Sequence, residues 1–245
     1  MSSIISAAET TIRISDSGST PDLRVVGTDS DVRVVEVGPT GVPALEPLVT
    51  VTSGGKTAFH PNCSTAKLDT IVARITDGPD IGAGEPEAVV EHDSGTTRLP
   101  AVDLPGLGSG HRRVLRGAGW RRPAAPEDHE AAGGFDAPDA AAVLDAAATL
   151  HGRGWSDLCH DEPLGSTWET NRDAGGDPVV VVNAHGNPAD ALLLASVPFE
   201  VLDGATAAAR AVGADSVIVY ASTADQRAVE TVQEAVANYP DPAAA

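Results

Sequence analysis

Val179-Val180-Val181-Val182-Asn183-Ala184-His185-Gly186-Asn187-Pro188 reads as a strand that stops in a polar loop. Four consecutive valines suit a strand buried on both faces, and Gly186 and Pro188 punctuate its end. Downstream, Phe199 to Val212 has helical spacing with alanine on its inner face. Ser216 to Ala221 is a second apolar strand, and Thr223 to Val236 is a last amphipathic helix. Strand, loop, helix, strand, helix is the grammar of an α/β layer with parallel strands. In such a layer the loop at Asn183 faces ligand.

Outward from that stretch, composition narrows the choices. The 245 residues suffice for one large domain or two small ones. Aromatic residues make up 3%, so Val, Ala and Leu must build the cores. Asp plus Glu number 35 against 16 Lys plus Arg, a formal net charge of −19. Only Lys56 and Lys67 are lysines. Such a surface repels nucleic acid and anionic membrane, so neither is expected as a partner. An acidic, lysine-poor, Ala/Val/Gly-rich chain suits molar salt, where screening over about 3 Å removes most self-repulsion. A halophilic prokaryote's cytoplasm is the expected setting. Cys63 and Cys159 are too few and too far apart for a disulfide framework. No long apolar run or basic-flanked leader is present, so membrane insertion is not expected.

From the N-terminus, residues 1–20 read as a flexible tail with a short strand over Thr11 to Ile14. Residues 21–76 form a small α/β unit. Its strands are Leu23 to Val26, Val32 to Val37, Leu48 to Thr52 and Thr57 to His60, with a hairpin at Ser53-Gly54-Gly55-Lys56. Ser64 caps a helix carrying Leu68, Ile71, Val72 and Ile75. Gly54-Gly55-Lys56-Thr57 is no phosphate loop, since the first glycine and the following helix are missing. Residues 77–110 are rich in Gly and Pro and read as a linker with a strand at Ala88 to His92. His111, Arg112, Arg113, Arg116, Arg121 and Arg122 then form a basic patch. It suits a phosphate, a dinucleotide or an acidic partner, or else a strand paired with the protein's own carboxylates. Ala137 to Leu150 reads as a helix. After it, Gly152-Arg153-Gly154 would let backbone amides approach an anion.

The order of these motifs resembles the flavin-binding subunit of NADH:quinone oxidoreductase (complex I) and its relatives in NAD-reducing hydrogenases and formate dehydrogenases. The residues that carry the resemblance are Leu150-His151-Gly152-Arg153-Gly154 with Gly165-Ser166-Thr167-Trp168, then Val179 to Pro188, then Leu192-Leu193, Pro198, Asp203-Gly204, Ala211 to Ala214 and Tyr220. Val35-Glu36-Val37, Thr40-Gly41 and Pro47-Leu48-Val49 are similar to the thioredoxin-like extension of that family, and His111 to Gly119 to its joining strand. The resemblance implies an α/β chain with a thioredoxin-like domain over 21–76 and a linker over 77–110. A complex I flavoprotein-type domain follows over 111–238, incomplete before the iron–sulfur domain, and 239–245 is a tail. It implies FMN and NADH as cofactors, with Gly152, Arg153, Gly154, Asn183 and Tyr220 as cofactor-binding residues. A redox-complex subunit would supply the missing half.

Departures from the family pattern change that expectation. Thr167 stands where the family has a phosphate-binding lysine. Trp155 and Asp157 stand where it has glycines, and bulk and negative charge there oppose a dianion. His185 stands where it has paired acids. No iron–sulfur cluster can form on Cys63 alone. The expected reading is therefore a degenerate FMN/NADH site, inactive alone, with no catalytic residue assigned. Two alternatives stand beside it: a partner-dependent FMN-binding oxidoreductase subunit, and an unrelated zinc or thiol enzyme using Cys159 and His160 with His151, Asp157, Asp161 and His185.

The charge balance generates the first prediction. The melting temperature rises as KCl is raised from about 0.1 M to about 2 M. A melting temperature that stays flat or falls would show that self-repulsion does not limit this fold.

Overall fold

The computed structural model describes residues 10–15, 32–78, 80–136, 138–151 and 162–240. The chain is α/β and divides into two compact units. The first comprises residues up to Asp128 together with Ala195–Val197; the second comprises His129–Leu194 and the chain from Pro198 onward.

The first unit is a five-stranded sheet in the order β2-β1-β3-β4-β5. Its strands are β1 (Thr10–Ser15), β2 (Val32–Val37), β3 (Leu48–Ser53), β4 (Lys56–His60) and β5 (Ala88–Glu91). β1 runs parallel to β2 and antiparallel to β3, and β3, β4 and β5 are successively antiparallel. Helix α1 (Thr65–Thr76) follows β4, and Ser64 Oγ accepts from Lys67 N as the expected cap. The described part of this unit is thus a parallel pair, an antiparallel hairpin and a helix. The hairpin turns at Gly54 and Gly55, both at positive φ (58° and 76°), where a β-carbon would be strained. The expected strand over Leu23 to Val26 lies outside the described residues.

Three findings differ from the sequence expectation. The short strand expected over Thr11 to Ile14 is present as Thr10–Ser15, but instead of sitting in a tail it lies between β2 and β3, with Ile12 and Ile14 buried. Its short run of alternating apolar residues looks like tail until two neighbours pair with it. Residues 77–110, expected as a linker, carry Leu99, Val102, Leu104 and Leu107 into one core with Leu45, Leu48, Phe59 and Trp120. Glycine and proline here serve tight turns rather than freedom. Residues 111–122 form turns, not a joining strand.

The basic patch turns partly inward, and Arg121 is buried. Arg112 Nη2 donates to Thr40 O at 2.6 Å, and burial lowers the Arg112 pKa. Arg122 pairs with its own carboxylates, with Nη2 at 2.6 Å from Asp128 Oδ1 and 2.7 Å from Glu127 Oε1. Arg13 lies over the Trp120 ring, its Cζ 3.8 Å from the centroid, and donates to Trp120 O. Burial brings the Arg13 pKa down to about 10, with Asp128 opposing the shift.

Around Gly38-Pro39-Thr40-Gly41 the unit buries a polar knot. Glu46 Oε1 accepts from Thr40 N at 2.6 Å and from Thr40 Oγ1 at 2.7 Å. Thr40 Oγ1 in turn accepts from Val42 N. Ser196 Oγ donates to Pro39 O at 2.8 Å. Gly38 must be glycine, because a β-carbon there would stand 2.6 Å from Ser196 Cα.

The second unit pairs β6 (Val179–Asn183) with β7 (Ser216–Tyr220) in parallel, in register from Val179 with Ser216 to Asn183 with Tyr220. Its helices are α3 (Ala140–Ala147), α4 (Leu164–Asp173), α5 (Pro188–Ser196), α6 (Pro198–Val212) and α7 (Gln226–Asn238); α2 (Pro126–Glu130) precedes them. α6 is the hub, packing against α3, α4, α7 and both strands. It buries Phe199, Leu202, Ala205 and Ala209, and the alanines let the strands come close. The strands expected to be buried on both faces are covered on one. Val179, Val181, Ile218 and Tyr220 are each about half exposed (48%, 58%, 52% and 54%). Two strands alone cannot enclose both faces of a layer.

Thr40→Val keeps the shape of a fully buried side chain and removes the donor to Glu46 and the acceptor for Val42 N. It costs about 1–3 kcal/mol in equilibrium urea unfolding. Wild-type stability in that variant would show that the knot is replaceable by apolar packing.

Candidate functional site

Ligands of open α/β layers bind outside the carboxyl ends of parallel strands. Here that edge holds Asn183, Ala184 and His185 after β6, and Tyr220 at the end of β7. Asn183 and Tyr220 are register partners, so the structure brings these two expected site residues together. Ala184 N donates to Tyr220 O at 2.8 Å. The His185 ring stacks on Tyr220 with centroids 5.3 Å apart and planes at 19°. A flat aromatic platform therefore faces solvent at the strand ends.

Several polar groups of this loop are used locally. Asn183 Oδ1 accepts from His185 N at 3.0 Å, closing a turn. Asn187 Oδ1 accepts from Ala189 N, and Asn187 O accepts from Asp190 N and Ala191 N. Asn187 Nδ2 donates to Asp190 Oδ2 at 2.6 Å. The start of α5 thus carries its own carboxylate where an anionic ligand would sit. From Asp173 to Ala209 the sequence contains no lysine or arginine. The described residues of this edge do not fit a flavin phosphate.

The glycine cradle Gly152, Arg153 and Gly154 lies outside the described residues, as do Asp157, Cys159, His160 and Asp161. Its flanks are pinned together: His151 bridges Pro163, and Leu164 N donates to Leu150 O at 2.7 Å. Gly165, Thr167 and Trp168, expected in a glycine-rich loop, lie in α4 instead. Gly165 packs against α3, where a β-carbon would stand 3.0 Å from Ala148 N. Ser166 N and Thr167 N both donate to Pro163 O in the first turn, so this stretch is a helix start and not a loop around a phosphate. Among the described residues no three His, Cys, Asp or Glu side chains are placed to hold a metal. No single described helix is long and apolar enough to cross a membrane.

A second cluster was not foreseen. His129 Nε2 and Asp203 Oδ2 are 2.7 Å apart, Tyr239 Oη donates to Asp203 Oδ1 at 2.7 Å, and Phe135 N donates to Asp203 Oδ2 at 3.1 Å. The His129 ring is 5% exposed and stacks on Phe199 with Phe135 at its edge. A His–Asp pair suggests proton transfer, but here the imidazole is held between aromatic rings and only Asp203 is partly exposed. Its role is to tie α6 to the end of α7 and to the segment after α2. Three residues far apart in sequence gave no motif to read.

Chain comparisons add little to this geometry. No protein family matches the chain, and no curated protein matches it. Among solved structures it is similar to NAD+-reducing [NiFe]-hydrogenase in the H2-reduced state, at 19% identity and a TM-score of 0.38, covering 95% of this chain and 40% of that chain. The air-oxidized state of NAD+-reducing [NiFe]-hydrogenase gives 20% identity and a TM-score of 0.38 over 95% and 41%. The chain thus spans about two-fifths of the length of those chains. A likeness this distant carries no argument about activity.

Burial raises the Asp203 pKa, but the bonds from His129, Tyr239 and Phe135 outweigh it and leave the carboxyl below its usual 3.8. A depressed carboxyl contributes stability above its unfolded value and loses it as the pH falls through the folded value. Asp203→Asn therefore lowers stability by about 1–3 kcal/mol at neutral pH, and its gap from wild type narrows below 3.8. Melting curves across acid pH check this; a gap of constant size would exclude the charge as its source.

Proposed function

We propose that the chain is an NADH dehydrogenase flavoprotein-subunit-like protein whose FMN/NADH site is degenerate. It acts as a subunit beside another redox-complex polypeptide rather than turning over alone. The observation that supports this most is the strand-end edge. Asn183, His185 and Tyr220 stand where an α/β layer presents residues to a ligand, but among the described residues of that edge there is no lysine or arginine for a dinucleotide or flavin phosphate, and Asp190 places a carboxylate there. The position is kept while the anion chemistry is lost. The motif order from Leu150 to Tyr220 supplies the class, and the departures at Thr167 and His185 supply the degeneracy. On this reading the thioredoxin-like first unit carries no cluster, and the second unit is the flavoprotein-like part.

Purified protein in molar KCl, titrated with FMN and followed by flavin fluorescence and melting temperature, tests the reading. The expected result is no saturable binding up to about millimolar FMN. Saturation at micromolar FMN that is lost in Arg153→Ala would overturn the degenerate site. It would establish instead a flavin-binding subunit that needs its partner for turnover.

A further inference from the structure

The two-stranded sheet of the second unit leaves the outer edge of β7 unpaired among the described residues. Which groups face that edge follows from one bond. Tyr220 O accepts from Ala184 N, so Tyr220 points its backbone groups at β6. Strand groups alternate, so Ser216 and Ile218 do the same, and Val217 and Val219 point theirs at the outer edge. Their side chains lie on the sheet face that α6 covers.

A cleft of about 520 Å3 opens beside that edge. Leu202, Thr206 and Ala209 of α6 and Val236 of α7 form its walls, with Val217 and Val219 of β7 alongside. Val217 is 36% exposed and Val236 53% exposed, so apolar surface is left in water. Unpaired strand amides beside an apolar trough are a template for a further strand.

We propose that this cleft receives an extended segment of another polypeptide, which adds to β7 as a third strand. The occupant is β-branched and uncharged over about the five residues of β7. The lining itself holds one charge of each sign, Asp215 and Arg210, so it is the chain's net charge of −19 that favours basic residues at the flanks of the occupant. An extended backbone satisfies the edge amides, which a helix or an apolar small molecule cannot do. This inference rests on the sheet edge alone and stands whether or not the strand-end loop ever held a cofactor.

The probe is a fluorescein-labelled, end-capped peptide of about seven alternating valines and threonines with a lysine at each end. Its anisotropy is titrated with the full chain at the lowest KCl concentration at which circular dichroism shows the protein folded. The expected result is saturable binding. The same peptide N-methylated at alternate amides binds at least tenfold more weakly, because one edge of its backbone no longer donates. Val217→Pro removes an outward N–H without touching the ladder to β6 and weakens the unmodified peptide about fivefold or more. No saturation up to about millimolar peptide, equal binding of the N-methylated peptide, or full affinity in Val217→Pro would each overturn the proposal. So would a sedimentation result in which the protein alone is a dimer that Val217→Pro dissociates, since a second copy would then fill the edge. Should Val217→Pro fail to fold, the methylated peptide still decides.

Discussion

A β-carbon on Gly38 would collide with the Ser196 backbone, and one on Gly165 would press on Ala148. The same closeness recurs where α6 lays Ala205 and Ala209 toward the strands. A chain with so few aromatic rings cannot fill its interior with bulk, so it brings backbones together. Close approach recovers dispersion contacts that small side chains would otherwise forfeit. It also leaves little room for water at buried polar groups. Bonding at these groups is concentrated on few atoms: Glu46 Oε1 serves Thr40 twice while Glu46 Oε2 has no partner among the described residues, and both oxygens of Asp203 are bonded.

Where periodicity was strong, the sequence could be read. The α1 helix with its Ser64 cap, the hairpin at Gly54-Gly55 and the alternation of β6, α6, β7 and α7 all carry local signals. The central position of β1 was not legible, because six residues pair on both sides only through contacts far along the chain. Residues 99–107 misled for a related reason. Proline and glycine mark turns, and turn composition does not say whether the leucines between them are buried. At the candidate site, the pairing of Asn183 with Tyr220 followed from the strand order. The stacking of His185 on Tyr220 and the His129–Asp203–Tyr239 cluster depend on tertiary placement, which no spacing encodes.

At the strand-end edge, backbone geometry and loop chemistry are set by different residues. Geometry there is set by β6 and β7, whose valines are needed for the layer itself. The polar loop is under no such demand, and its side chains bond within the loop and the start of α5. Asn183 closes a turn and Asn187 caps α5.

Ser196 gives this chain an unusual order of assembly. The first unit counts Ala195–Val197 among its residues although the rest of it ends at Asp128. During synthesis its sheet can form long before those three residues exist. The bond from Ser196 Oγ to Pro39 O, and the close fit at Gly38, must wait until β6 and α5 have been made. A release of the chain anywhere between α2 and α5 would therefore yield a first unit with its sheet in place and the knot around Thr40 left open on one side.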